Sequence, residues 1–122
     1  MPDRSRRGQT AYRRGHAAEA AAVTALEADG WTILARRLRT AAGEIDIVAD
    51  KDGLLAFVEV KARPGLAQAA LALSPRQQAR LVAAAEIVLA ENPDWGFRGV
   101  RFDAVVVDAR GLVRRIADAF RA

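Results

Sequence analysis

The run from Gly43 to Arg63, with Asp52-Gly53 near its middle, limits the fold of this chain more than any other feature. An Asp-Gly pair between two apolar stretches is a strong signal for a two-residue hairpin turn. With the turn at that point, Lys51 stands opposite Leu54. Counting back along both strands puts Asp46 opposite Glu59 and Glu44 opposite Lys61. Side chains alternate between the faces of a strand, so Glu44, Asp46, Glu59 and Lys61 are expected on one face and Ile45, Ile47, Val58 and Val60 on the other. A slip of two residues keeps every side chain on its face, and only an odd shift breaks the division.

Two carboxylates facing each other across a ladder repel, so something cationic belongs between them. Lys61 is one source of that charge. A hard divalent ion is another, since side chains whose Cβ atoms lie about 5 Å apart can converge on it with oxygen ligands.

The chain has 122 residues, of which 52% are hydrophobic, enough for one domain with a real core. It has no cysteine, which removes disulfides, zinc ribbons and thiol nucleophiles and favours an intracellular, cytoplasmic setting. Glu19 and Glu27 interrupt the alanine-rich stretch after the basic N-terminus, so neither a signal peptide nor a membrane span is expected. The formal net charge is +4, unevenly spread. Residues 1–40 hold eight Arg against four acids, residues 41–61 five acids against two Lys, and residues 62–122 nine Arg against six acids. An acidic centre between basic flanks suits a metal-using enzyme acting on a polyanion. A solvated arginine surface is the plainer reading of any single arginine, including Arg76, Arg80, Arg114 and Arg115.

Residues 1–8 are Arg-rich and aperiodic, which predicts a mobile basic arm ahead of a single domain spanning residues 9–122. Helical spacing predicts a helix from about Thr10 to Ala28, with Tyr12, Gly15, Ala22, Val23 and Leu26 on one side. Glu19 lies on that same side, and a buried unpaired charge is costly. Either arginines or backbone amides meet it, or it opens into a site. Gly30 ends the helix, Trp31 to Arg39 forms a first strand, and the hairpin supplies two more. The segment from Leu66 to Leu73 has no assignable structure. Ser74-Pro75-Arg76-Gln77 starts a second helix as a capping box with proline at its first position, and Asn92-Pro93 stops it near Glu91. Gly99 to Asp108 is a fourth strand, and Leu112 to Phe120 a last strand or tail. The expected fold is α/β, a mixed sheet with a central β-hairpin flanked by two helices. Asp103 falls inside the fourth strand as a salt-bridge partner or a substrate contact.

With one histidine, His16, placed without a suitable serine, a Ser-His-Asp site has no support. No glycine-rich phosphate loop precedes a helix. Carboxylate, lysine and metal chemistry remain. The chain uses 17 Arg and two Lys, yet the base beside Glu59 is Lys61, whose pKa can fall where a guanidinium's cannot.

Gly43-Glu44-Ile45-Asp46 and Phe57-Val58-Glu59-Val60-Lys61-Ala62-Arg63, with Gly15 and Glu19 upstream and Arg101-Phe102-Asp103 downstream, closely resemble the bacterial YraN-like family of predicted endonucleases. That family belongs to the PD-(D/E)xK superfamily of restriction endonuclease-like and Holliday junction resolvase-like proteins. The resemblance covers about Tyr12 to Val107. Ile45 stands where the superfamily motif has proline, and Gln77 where a lysine is frequent, which weakens a basic contact there; Gln78 matches a glutamine common in related families. The resemblance implies a restriction endonuclease-like core and a Mg²⁺-dependent endodeoxyribonuclease, with Mn²⁺ as a substitute. It implies that Asp46, Glu59 and the Val60 carbonyl ligate the metal, that Lys61 orients or activates water, and that Glu19 completes the site through a metal-bound water. Arg13, Arg14, Arg63, Arg76, Gln78 and Arg80 are then the candidate nucleic-acid contacts. The partner implied is DNA rather than RNA, with branched or recombination-type DNA as the candidate substrate, and a homodimer stays open because two-fold assembly is common among junction-cutting relatives. Two alternatives remain. One is a silent nucleic-acid-binding protein on a nuclease scaffold that aids DNA processing through partners. The other is an interaction protein in which Glu44 pairs Lys61 and Asp46 pairs an arginine.

Overall fold

A computed structural model of the chain describes residues 4–65 and 73–121, and within the first helix the side chains from Gly15 onward. In chain order the elements are α1 (Arg4–Ala28), β1 (Thr32–Thr40), β2 (Gly43–Lys51), β3 (Leu54–Ala62), α2 (Pro75–Glu91), β4 (Gly99–Val107) and β5 (Val113–Phe120). α1 starts at Arg4, so residues 4–8, expected as an aperiodic arm, continue the helix. Residues 66–72, which carried no assignment, lie outside the described residues.

Local chemistry sets most element ends. At the hairpin tip Asp52 and Gly53 both take positive φ, 52° and 88°, as a two-residue turn of this kind requires, and Lys51 pairs with Leu54 as the count from the sequence gives. At the start of α2 the Ser74 hydroxyl accepts from the Gln77 N–H at 3.2 Å, and the Gln77 side-chain oxygen accepts from the Ser74 N–H at 2.9 Å. Pro75 occupies the first turn, where its missing N–H is no loss. Asn92 closes the helix by donating its N–H to the Val88 carbonyl at 3.0 Å.

The five strands form one mixed sheet in the order β1-β2-β3-β4-β5. β1–β2, β2–β3 and β4–β5 are antiparallel, and β3–β4 is parallel. A parallel pair needs a long crossover, and α2 lies within it. α1 covers one face through Ala18, Ala22 and Leu26, against Ile47, Ala49, Ala56, Val58 and Val105. α2 covers the other through Leu81, Ala84, Ala85 and Val88, against Val48, Leu55, Phe57 and Phe102.

The face division expected for the hairpin fails in β2 ahead of Ile47: Glu44 and Asp46 turn to the α1 side, away from the face that Glu59 and Lys61 share toward α2. Ile47 and Val58 pack toward α1, but Ile45 packs with the α2 cluster, although strand parity puts it with Ile47. The paired ladder of β2 and β3 runs from Lys51↔Leu54 to Ile47↔Val58. Beyond that, the Val60 N–H donates at 2.7 Å to the carboxylate of Asp46, in the place that the Ile45 carbonyl would take if the ladder continued. A side chain has entered the ladder, and the strand turns over around it. On the neighbouring strand, Arg36 pairs with Ile47, so Arg37 lies beside Asp46; it carries φ 52°, a backbone state that arginine rarely adopts.

Candidate functional site

Glu19 is 6% exposed, in the stripe of α1 that also buries Ala18, Ala22 and Leu26. Two guanidinium groups compensate its charge. Arg36 Nε donates to one carboxylate oxygen at 3.1 Å, and Arg37 Nε to the other at 2.8 Å. Consecutive strand residues ordinarily point to opposite faces. The left-handed backbone at Arg37 is what lets both reach one carboxylate.

Glu59 is also 6% exposed and takes its charge partners from the α2 side. Lys61 Nζ, two residues along the same strand, lies 3.2 Å from Glu59 Oε1, and Arg80 Nη2 of α2 lies 3.5 Å from that oxygen. The Glu44–Lys61 pairing weighed from the sequence is therefore not formed: Lys61 meets Glu59, and Glu44 lies 3.8 Å from Arg39 Nε.

Asp46 is different. Among the described residues it makes no ion pair, and its carboxylate accepts the Val60 N–H in place of the arginine that an interaction protein would have put there. Its pKa is raised from 3.8 to about 6, chiefly because burial disfavours the charged form and then because Glu59 repels it. Glu19 adds to the rise, while the Val60 N–H and the Lys61 ammonium act against it. The negative charges of Glu19 and Glu59 thus both act on Asp46, one from each side.

A cleft of about 550 Å³ opens over this point. It is lined by Gly15, His16 and Glu19 of α1, Arg37 and Arg39 of β1, Glu44 and Asp46 of β2, and Val60 and Ala62 of β3. The cleft brings Glu19 and Asp46 together, whereas Glu59 and Lys61 are not among its lining residues. Among the described residues no group of three or more acids or histidines is spaced to hold a metal ion. The oxygen donors are nevertheless of the kind a hard divalent cation takes, and the repulsion from Glu59 and Glu19 that adds to burial in raising the Asp46 pKa is one a cation would relieve.

The other candidates separate by environment. Arg76 is exposed, and Arg80 is half-exposed one turn further along α2. Gln78 donates its side-chain amide to the Leu73 carbonyl at 3.2 Å, a local use at the helix start. Arg63 donates to the Ala62 carbonyl at 2.9 Å, just past the end of β3. The side chains of Arg13 and Arg14 lie outside the described residues. Asp103 is fully buried, with Arg101 forked onto both of its oxygens at 2.9 Å and the Asp118 N–H donating to it at 2.9 Å, a structural pairing. Nothing in the sequence singles out Arg36, Arg37 or Arg39, and His16 enters there only as an unsupported Ser-His-Asp member. Alternation assigns Arg36 and Arg37 to opposite faces, and nothing in Ala35-Arg36-Arg37-Leu38 signals a positive φ.

The family model described as "Uncharacterised protein family UPF0102" matches residues 18–107, which include Glu19, Asp46, Glu59, Lys61 and Asp103. The chain belongs to the UPF0102 family. This is the YraN-like family that the motif from Gly43 to Arg63 resembles. A UPF0102 protein of Granulibacter bethesdensis is 65% identical over 115 residues, covering 94% of this chain and 73% of the relative. UPF0102 proteins of Azorhizobium caulinodans and Rhodopseudomonas palustris are 50% and 49% identical, over 94% and 92% of this chain and 88% and 86% of theirs. These three names state no activity. No helix among the described residues is long and apolar enough to cross a membrane.

Proposed function

We propose that this UPF0102 chain is a metal-dependent DNA endonuclease. The observation that carries the reading is Asp46: an aspartate with no ion pair among the described residues, its pKa raised to about 6 by burial and by Glu59 and Glu19, in a cleft lined by Arg37 and Arg39. A perturbed carboxyl of that kind in a cleft is the mark of a functional site. A five-stranded mixed sheet with a central hairpin and a helix on each face is compatible with the restriction endonuclease-like core that the motif resemblance implies.

Asp46 and Glu59 would hold Mg²⁺, with Mn²⁺ as a substitute; two carboxylates suffice for an ion that keeps several waters. The N–H and C=O of one strand residue face the same neighbour, so the Val60 carbonyl turns to the side from which its N–H reaches Asp46 and is a further oxygen donor. When bound, the metal supplies a Lewis acid and a template for phosphodiester hydrolysis. Lys61, already 3.2 Å from Glu59, places an ammonium where it can orient water and offset developing negative charge. The arginines lining the cleft and on α2 supply positive charge for a phosphate backbone.

A second reading, a nucleic-acid-binding protein that does not cut, is favoured by one feature: Glu19 and Glu59 already carry basic partners, so the described acids form no ready cage. Metal titration followed by thermal melting tests the site. Mg²⁺ or Mn²⁺ stabilises the wild type under the nuclease reading, and Asp46→Asn and Glu59→Gln lose the response; an equal response in all three removes the metal site. A cleavage screen over duplex, single-stranded, flap and four-way junction DNA then separates the readings, since binding at low salt without any cut leaves only the second.

A further inference from the structure

The arginines on Glu19 are far more exposed than the carboxylate they neutralise. The Glu19 side chain is 8% exposed, but those of Arg36 and Arg37 are 46% and 34% exposed. Each meets Glu19 through Nε, one to each oxygen, rather than through the two-pronged fork that a guanidinium can offer a carboxylate or phosphate. Both guanidinium groups reach solvent, so their hold on Glu19 is open to competition from salt and from a phosphate oxygen. The pair nonetheless puts two positive charges against one negative; Glu19 and Arg37 line the cleft that holds Asp46, and Arg36 reaches it through Glu19.

Resting on the reading that a nucleic-acid backbone enters this cleft, we propose that Glu19, Arg36 and Arg37 form a phosphate-released latch. In the free protein Glu19 holds the two arginines. An incoming phosphodiester takes them over, and Glu19, left without its cations, adds its full negative charge to that of Asp46. Nucleic acid and a divalent cation then favour each other's binding, because coupling between two ligands is reciprocal. The latch keeps the acid site half-neutralised until a substrate arrives.

Binding of a short fluorescent duplex, followed by anisotropy across a salt series in EDTA, tests the latch without any cleavage. Glu19→Gln releases both arginines from the carboxylate and is expected to tighten binding by several-fold. Arg36→Gln, at an exposed strand position and with Arg37 still on Glu19, is expected to weaken binding and to flatten the slope of log K against log salt by about 1, the loss of one phosphate contact. The deciding comparison is Glu19→Gln in a chain that also carries Arg36→Gln and Arg37→Gln. A latch loses its tightening there, whereas a carboxylate that merely repels phosphate keeps it. Tightening that persists without the arginines, or no change in the single Glu19→Gln variant, overturns the latch while leaving the proposed function standing. A wild-type chain with no salt-dependent duplex binding overturns both.

Discussion

Replacing Asp46 by asparagine is expected to stabilise the metal-free protein at neutral pH. In the folded chain the Asp46 carboxyl keeps its proton up to about pH 6, against 3.8 for an unperturbed aspartate. Folded Asp46 therefore binds protons more tightly than unfolded Asp46, and the linkage runs in one direction: wild-type stability falls as pH rises from about 4 to about 6 and levels off above that. Ionising the folded carboxyl costs about 3 kcal/mol at 1.36 kcal/mol per pH unit. The cleft is open to water and Asp46 is only partly buried, so screening reduces this to roughly 1.5 kcal/mol. Asparagine carries no charge and keeps an oxygen that can accept the Val60 N–H, so the strand geometry survives the change. For a chain of this size the gain corresponds to about 6 °C in Tm. Thermal or urea melts of both proteins in EDTA, from about pH 4 to pH 8, read it directly. The curves should meet near pH 4 and separate through pH 6, the variant above. An Asp46→Asn protein that is less stable than wild type at pH 8, or a difference that does not vary with pH, refutes the charge argument.

Asp103→Ala removes a fully buried carboxylate and takes from the partly exposed Arg101 guanidinium and the Asp118 N–H their shared acceptor, with an expected loss of about 2–3 kcal/mol in urea unfolding; a loss under about 1 kcal/mol would show that water replaces the carboxylate. Leu26→Ala, at 1% exposure under the sheet, should cost about 2–5 kcal/mol by the same measurement. Two glycines should respond with opposite signs. Gly53→Ala meets φ 88° and the Phe97 ring and loses about 1 kcal/mol or more. Gly15→Ala, helical and exposed with nothing within 4 Å of the new carbon, gains about 0.5–1 kcal/mol. Equal Tm shifts for the two would contradict the backbone reasoning.

The sequence by itself determined the features whose causes are local. The Asp52-Gly53 turn, the Lys51↔Leu54 register, the Ser74 capping box, the stop at Asn92 and the position of Glu19 on the buried stripe of α1 each depend on a few adjacent residues or on one periodicity. The early start of α1 escaped because Arg4 to Gly8 show no apolar spacing. The candidate site was legible as a set of residues but not as an arrangement. Only the tertiary structure decided that Ile45 faces α2, that Arg36 and Arg37 share Glu19, that Arg80 reaches Glu59 from the second helix, and that Lys61 meets Glu59 instead of Glu44. The physical reason is that alternation along a strand holds only while backbone groups bond to backbone groups. Once the Asp46 carboxylate takes the Val60 N–H and Arg37 turns left-handed beside it, which side each neighbour faces is set by contacts across strands and helices that no short stretch of sequence contains.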